Sequence, residues 1–288
     1  MYPEKFDYYR AGSVAEALSL LGEHPEAKLL AGGHSLLPVM KLRLTHPGAL
    51  IDIGRIAELR GIAAEGDAIK IGALTTHAEV AGSEQIQRHC PILAEAAGKI
   101  GDPQVRNKGT IGGNVAHADP ASDLPAVLQV LGATFHLAGP RGERTVRSED
   151  FFVGLLETAV GHEEVLTAVE VPSLGPGTGS AYLKFEHPAS GYAVCGAAAV
   201  VELDSAGACI DARLAFNGLA ATPYQVGGLG AALRGAVLSD AAIDAEVDGA
   251  VAIDDPLQDL QASGVYRVAL AHVYGKRALK KARDRAQG

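Results

Sequence analysis

The chain has 288 residues, of which 25 are basic and 34 acidic, and its formal net charge is −9 at pH 7. Apolar residues make up 48% of it, too many for a disordered protein. No stretch approaches the roughly 20 apolar residues of a membrane helix, and the opening MYPEKFDYYR lacks the apolar core of a signal peptide. An acidic balance without long Lys/Arg runs argues against a nucleic-acid surface. We expect a cytoplasmic protein of about two domains, with no membrane span and no nucleic-acid partner.

Two residue types depart from average usage. There are 35 glycines, whereas an average composition of roughly 7% would give about 20. There are only 3 cysteines, and they lie far apart at Cys90, Cys195 and Cys209. This number and scatter exclude a disulfide framework and fit a reducing compartment.

The N-terminal part combines short helices and short strands. Ser13 and Glu16 match a capping box, apolar residues follow at helical spacing, and Gly22 is placed to end that helix. Thr76 and Glu79 repeat the capping pattern. Runs of β-branched and apolar residues predict strands at 28–31, 49–53 and 68–72, and a further helix is predicted at 91–100.

Residues 102–125 show no regular period and are rich in Gly, Asn, Asp and Pro. A structureless connection of this length usually binds something. A compact helix is predicted at 123–132, with Pro125 tolerated in its first turn and Gly132 as its terminator. Strands are then predicted at 133–138 and 164–171.

A composition break at 172–180, with three Gly and two Pro, marks the clearest domain boundary. Three strands followed by helices indicate an α+β unit beyond it. The basic stretch 276–285 is interpreted as the solvated end of the last helix. The predicted strands are 181–187, 195–203 and 209–217, and the predicted helices are 225–246 and 263–282.

Two loops share one design: Ala31-Gly32-Gly33-His34-Ser35 and Thr110-Ile111-Gly112-Gly113-Asn114. Paired glycines let a backbone approach a ligand closely, so that several N–H groups can point at one anion. Neither loop contains Lys or Arg, so a phosphate there would be held by main-chain dipoles. The alternative is that each glycine pair only forms a tight turn.

The segment 117–123 holds one imidazole, that of His117, and two carboxylates, those of Asp119 and Asp123. A metal site is one interpretation. Alternatively, Asp123 caps the helix that follows it, or accepts hydrogen bonds from a ligand.

Lys184 and Tyr192 follow the domain boundary. If Lys184 faces a cleft between the domains it could reach a ligand there, and Tyr192 could stack on a planar ring. The alternative is an exposed lysine and a half-buried tyrosine. The run Gly228-Leu-Gly230 lacks the third glycine of a dinucleotide fingerprint, and no nucleophile elbow is present.

The two loops, together with Asp119-Pro-x-x-Asp123-Leu-Pro125, resemble the signature of the FAD-binding medium subunit of molybdenum hydroxylases, the carbon monoxide dehydrogenase / xanthine dehydrogenase family. The resemblance covers the whole chain. It implies an α+β fold: a vanillyl-alcohol-oxidase-type FAD-binding domain of two α/β subdomains, then a C-terminal domain of three-stranded antiparallel sheet plus helices. The implied domains are 1–175, with subdomains of about 1–55 and 56–175, and a flavin-covering domain at 176–288.

The resemblance also implies FAD-binding residues. Those around the diphosphate are Ala31, Gly32, Gly33, His34, Ser35, Thr110, Ile111, Gly112, Gly113 and Asn114. Leu36 is also among the implied cofactor-binding residues. Asp123 would hydrogen-bond the cofactor near the ribityl chain or flavin ring, and Leu166 would pack against the flavin or adenine. Lys184 and Tyr192 would cover the isoalloxazine from the C-terminal domain.

No catalytic residue and no metal ligand is expected in this chain. A [2Fe–2S] cluster needs four protein ligands, commonly cysteines, and the chain has three cysteines. The resemblance implies that molybdopterin and the [2Fe–2S] clusters lie on a large and a small partner subunit, in a dimer of heterotrimers. The chain would pass electrons from those clusters through FAD to an external acceptor. A non-catalytic assembly module and a stand-alone FAD/NAD(P)H reductase are the alternatives.

Overall fold

A small sheet of three parallel strands forms the N-terminal layer of the protein, seen here in a computed structural model that describes residues 2–288. Its strands, in spatial order β1–β3–β2, are β1 (Asp7–Arg10), β2 (Ala27–Leu30) and β3 (Ala49–Asp52). Helices α1 (Val14–Glu23) and α2 (Leu36–Lys41) connect them. The Ser13 hydroxyl accepts from the Glu16 amide as predicted, but the Glu16 carboxylate accepts from Gly12 N rather than closing the box on Ser13.

A second sheet has five antiparallel strands in the order β4–β5–β10–β6–β7. The three strands predicted here are confirmed, whereas the two edge strands and a small hairpin were not predicted. A 3₁₀ turn at Ala57–Leu59 precedes this sheet. The strands are β4 (Ile62–Glu65), β5 (Ala68–Gly72), β6 (Thr134–Gly139), β7 (Gly142–Arg147), the hairpin β8 (Phe152–Gly154) and β9 (Glu157–Thr158), and β10 (Val165–Pro172).

Short helices cover one face of this sheet. They are α3 (His77–Gly82), α4 (Glu84–His89), α5 (Pro91–Gly98), α6 (Pro103–Arg106), α7 (Ile111–His117), α8 (Leu124–Leu131) and α9 (Ser148–Phe151). The predicted box of Thr76 and Glu79 is complete at α3, and Gly132 ends α8 with φ of 65° as predicted.

The expectation that residues 102–125 are irregular is wrong, because α6 and α7 lie within them. Helices of four and seven residues are too short to show a period, and the two glycines of α7 weaken its intrinsic propensity. One local and one tertiary feature stabilise α7. The Thr110 hydroxyl caps it by accepting from Gly113 N, and Gly112 packs directly against Ala73.

The C-terminal unit is an antiparallel sheet backed by a long helix. The three predicted strands are confirmed as β11 (Thr178–Glu186), β12 (Ala193–Leu203) and β13 (Cys209–Asn217), and a two-residue strand, β14 (Tyr224–Gln225), extends the edge. Two residues are too few for an alternation signal. The helices are α10 (Leu229–Leu233), α11 (Asp240–Ala250) and α12 (Gly264–Ala286), so the helix predicted at 225–246 is in fact two. No helix among residues 2–288 is long and apolar enough to cross a membrane.

The C-terminal sheet is buried on both faces. Tyr182, Ala198 and Val200 belong to the core that lies beneath the five-stranded sheet, whereas Ala181, Ala197 and Ala199 face the α12 side. Alternation along β12 therefore places small residues against both neighbouring layers. The two units share one continuous interior.

The basic stretch of α12 is not only a solvated end. Lys281 Nζ and Arg285 Nη1 donate to the two carboxylate oxygens of Glu95, at 2.8 and 2.9 Å. Glu95 lies on α5, so these ion pairs bind the last helix to the first unit.

Asn217 provides a second link between the units. Its amide oxygen accepts from Ala126 N at 2.9 Å, and its amide nitrogen donates to the Asp123 carbonyl at 3.0 Å. The side chain is 1% exposed. The N-terminus of α8 is therefore capped by a residue that is 94 positions away in the chain.

We expect Asn217→Ala to lower the free energy of unfolding by about 2–4 kcal/mol, because two buried main-chain groups lose their partners. Chemical denaturation of the full chain measures this. Asn107→Ala is the matched control: it removes an exposed amide that bonds only Pro103 O, and we expect a change within about 0.5 kcal/mol. Equal stability of the two variants would contradict the interdomain cap.

Candidate cofactor site

The two glycine loops lie against each other. A Cβ atom built on Gly32 would lie 2.1 Å from the Lys108 carbonyl oxygen, and one on Gly113 would lie 3.8 Å from the Ala31 Cβ. Only a glycine at position 32 permits this backbone approach. The structure therefore brings together the two segments that the sequence analysis paired.

The first loop has free main-chain donors. Among residues 2–288 no acceptor takes the amides of residues 32–36. Gly33 has φ of +74°, which turns the chain from β2 toward α2. The His34 ring donates from Nδ1 to the Gly32 carbonyl at 2.9 Å, so this imidazole holds the loop in shape. A run of five unpaired amides in a glycine turn is suited to an anionic ligand.

The second loop differs from the expectation that its amides also point at an anion. Ile111 N donates to Thr75 O, and Gly112 N donates to Ala73 O, both at 2.9 Å. The amides of Gly113 and Asn114 donate to the hydroxyl and the carbonyl of Thr110. This loop supports the first one rather than repeating it. The sequence could not show this, because the acceptors lie in the 73–75 turn.

Asn114 keeps one free polar group. Its Oδ1 accepts from the Ser122 hydroxyl at 2.8 Å, whereas its amide nitrogen donates to no acceptor in the described part of the chain. Ser122 was not among the predicted site residues, and no motif marks it.

Asp123 is buried, with 4% exposure. Its side chain does not cap α8, so the capping interpretation is wrong. Oδ1 accepts from the Tyr182 hydroxyl at 2.6 Å, and Oδ2 accepts from Lys184 Nζ at 3.1 Å. Burial raises the pKa of Asp123 to about 6, although both partners act in the opposite direction.

The Lys184 ammonium is buried rather than aimed at an open cleft. Its three N–H donors are used by the Lys99 carbonyl at 2.8 Å, Asp123 Oδ2, and the Gly191 carbonyl at 2.6 Å. A lysine has no further donor. In this arrangement Lys184 positions Asp123 and the turn before Tyr192.

Tyr192 lies beside the first loop. It is 43% exposed, and the Ser35 hydroxyl is near its phenol. Burial raises the pKa of Tyr192, and the carboxylate of Asp119 adds to the effect. The C-terminal unit thus brings a ring beside the glycine loop, and its contact with a cofactor stays a prediction.

Leu166 lies on β10, is 6% exposed, and belongs to the same buried cluster as Ile111 of the second loop. The β10–β6 ladder has a bulge at this residue. Its contact with a cofactor stays a prediction.

Asp119 and His117 are the other two residues for which a metal site was one interpretation. The Asp119 carboxylate accepts from Ala121 N at 2.9 Å, which shapes its own turn. Within residues 2–288 no three His, Cys, Asp or Glu side chains converge on one point.

Sequence reasoning missed Tyr182, whose side chain is fully buried and touches Asp123. One feature of the sequence points to it: residues two apart on a strand share a face, so Tyr182 lies on the same side of the predicted strand 181–187 as Lys184.

Comparison with known proteins identifies the family. Residues 4–174 match the model described as FAD binding domain in molybdopterin dehydrogenase, and residues 180–282 match that of the CO dehydrogenase flavoprotein C-terminal domain. This chain belongs to that FAD-binding family. It is an FAD-binding medium subunit of the carbon monoxide dehydrogenase type, within the molybdenum hydroxylases.

Relatives align over their full length. The carbon monoxide dehydrogenase medium chain of Hydrogenophaga pseudoflava is 44% identical over 98% of both chains, and that of Afipia carboxidovorans is 41% identical over 100% of both. A structure of the Hydrogenophaga pseudoflava enzyme superposes with a TM-score of 0.95 at 44% identity, covering 99% of each chain. Quinoline 2-oxidoreductase from Pseudomonas putida 86 superposes with a TM-score of 0.94 at 30% identity over 100% of each chain.

The free amides of residues 32–36 and the glycine approach at position 32 fit the diphosphate of FAD. We expect Gly32→Ala to weaken FAD binding at least about tenfold, because the new Cβ forces the two loops apart. Titration of flavin-free protein with FAD, followed by flavin fluorescence, measures this.

Gly82→Ala is the matched control, since a Cβ there has nothing within 4 Å. Its affinity should equal that of the wild type. If Gly32→Ala also binds FAD normally, the close contact of the loops plays no part in cofactor binding.

Proposed function

We propose that this subunit transfers electrons through FAD, from iron–sulfur clusters on a partner subunit to an external acceptor. The observation that carries the proposal is the site itself: five free amides, with Asp123 and Tyr192 brought to the same place, in a chain of the medium-subunit family. When bound, FAD supplies one- and two-electron redox chemistry that the side chains lack. This chain binds the cofactor, orients it and sets its electrostatic surroundings.

The contacts of these residues support a different role for each in FAD binding. The amides of residues 32–36 would hold the diphosphate without any cation, which suits an acidic protein. The second loop, from Thr110 to Asn114, supports them and offers the Asn114 amide. Asp123 has unused lone pairs on both oxygens and would accept from a ribityl hydroxyl or a flavin N–H. Tyr192 would cover the ring from residues 176–288, the C-terminal unit.

The cysteines of this chain support the proposal that the iron–sulfur clusters lie on a partner subunit. Burial raises the pKa of the Cys90 and Cys195 thiols to about 12, and it also raises that of Cys209. Cluster ligands are thiolates, and four ligands are needed. We therefore propose that a small subunit carries the [2Fe–2S] clusters and a large subunit the molybdenum cofactor. The proposed assembly is a cytoplasmic dimer of heterotrimers.

The relatives support a substrate site outside this chain. Medium chains of carbon monoxide dehydrogenase and a subunit of caffeine dehydrogenase both align with it over almost their full length. Substrates as different as these names indicate would need different pockets, whereas the fold is the same. We propose that the large partner selects the substrate.

FAD affinity should fall as the pH drops below about 6, because protonated Asp123 loses its charge-assisted hydrogen bonds. The charged and titratable groups that face Asp123 are Lys184, Tyr182, Lys99 and Tyr192. FAD titrations between pH 5 and 8 should show one inflection in the wild type, and Asp123→Asn should remove it. An inflection that survives in Asp123→Asn belongs to another group.

The proposed electron transfer can be tested on the complex of this chain with its partner subunits. Purified from its native source, the chain should carry yellow FAD and bring with it one small cysteine-rich chain and one much larger chain. Substrate should bleach the flavin of the complex and leave the isolated subunit unchanged. A colourless chain that takes up no FAD indicates an assembly module, and rapid NAD(P)H bleaching of the isolated subunit indicates a reductase.

A further inference from the structure

Asp123 is held by a buried tyrosine that no sequence motif identifies. The Tyr182 hydroxyl donates to Asp123 Oδ1 at 2.6 Å, and the tyrosine side chain is 0% exposed. Asn217 lies beside the same hydroxyl and bonds the main chain of Asp123. The carboxylate is therefore fixed from three directions, by Tyr182, Lys184 and the capped start of α8.

Gly196 makes room for this contact. It pairs with Lys184 across β11 and β12, and a Cβ built on it would lie 2.4 Å from the Tyr182 hydroxyl oxygen. The same atom would lie 3.1 Å from Cζ of the ring. Any side chain at position 196 must displace the hydroxyl that reaches Asp123. The glycine is explained by this hydroxyl and not by its backbone angle, since Gly196 lies within a regular strand.

We propose that Tyr182 is a positioning residue for FAD binding. It acts through its hydrogen bond to Asp123, and the absence of a side chain at Gly196 leaves room for its hydroxyl. The inference rests on the proposed function. The tyrosine fixes the direction of the carboxylate and occupies one lone pair of Oδ1, so that the remaining lone pairs point to one place. Its hydrogen bond also keeps Asp123 ionised to lower pH, because it favours the charged form. Tyr182 does not itself touch the cofactor.

The experiment is FAD titration of the full-length, flavin-free chain between pH 5 and 8. We expect Tyr182→Phe to weaken binding about tenfold at neutral pH, the order of one hydrogen bond to a charged group. The inflection assigned to Asp123 should move to higher pH. Gly196→Ala should reproduce both effects. Thermal unfolding of each flavin-free variant checks that it is folded.

A double-mutant cycle separates positioning from simple packing. In the Asp123→Asn background, Tyr182→Phe should change the FAD dissociation constant by less than about twofold. A tenfold loss that persists in that background, or an inflection that does not move in Tyr182→Phe, overturns the proposal. If Gly196→Ala fails to fold, the comparison of Tyr182→Phe in the two backgrounds still decides it.

Tyr224→Phe is the matched control. It removes a hydroxyl that donates to Ala252 O at 2.7 Å in the same unit but away from Asp123. Its FAD affinity and inflection should equal those of the wild type. A wild-type chain that takes up no FAD overturns the proposed function itself, whereas normal binding by both wild type and Tyr182→Phe overturns only this inference.

Discussion

The buried carboxylate of Asp123 is the interaction on which the rest of the structure depends. Removing a charge from water costs several kcal/mol unless it is paired and hydrogen-bonded. Here the pair is Asp123 and Lys184, whose side chains are 5% and 3% exposed. The first unit supplies the carboxylate, and β11 of the second unit supplies the ammonium and the Tyr182 hydroxyl. Neither unit satisfies these groups alone, so the site and the packing of the units form together.

The ion pair also organises the surroundings of the proposed flavin. Lys184 bonds the Gly191 carbonyl, and this contact sets the turn that carries Tyr192 toward Ser35. Asn217 caps α8 and holds the main chain of Asp123. A cofactor bound at the glycine loop would therefore meet groups whose rotamers are already fixed, which lowers the entropic cost of binding.

The free main-chain amides explain how an acidic protein could hold the anion proposed above. The glycine loop contains no cation, and its donors are main-chain amides left free by the turn after β2. The second loop uses its amides for internal hydrogen bonds and so keeps the first in place. The two similar loops therefore have different roles. Residues 32–36 offer free N–H donors, and residues 110–114 form the rigid surface on which the first loop packs.

The sequence by itself determined the α+β class, most of the strands, the helices with clear caps and the glycine loops, because each depends on residues close together in the chain. The tertiary structure decided the roles of Tyr182, Gly196 and Asn217. Tyr182 and Asn217 bond Asp123 from 59 and 94 positions away, and Gly196 makes room for the Tyr182 hydroxyl from the neighbouring strand. It also showed that Asp123, for which a helix cap was one of several interpretations, is the acceptor of an interdomain network, and that α7 is a helix in a segment expected to be irregular. Hydrogen bonds between distant strands and helices leave no period in the sequence, whereas turns and caps do.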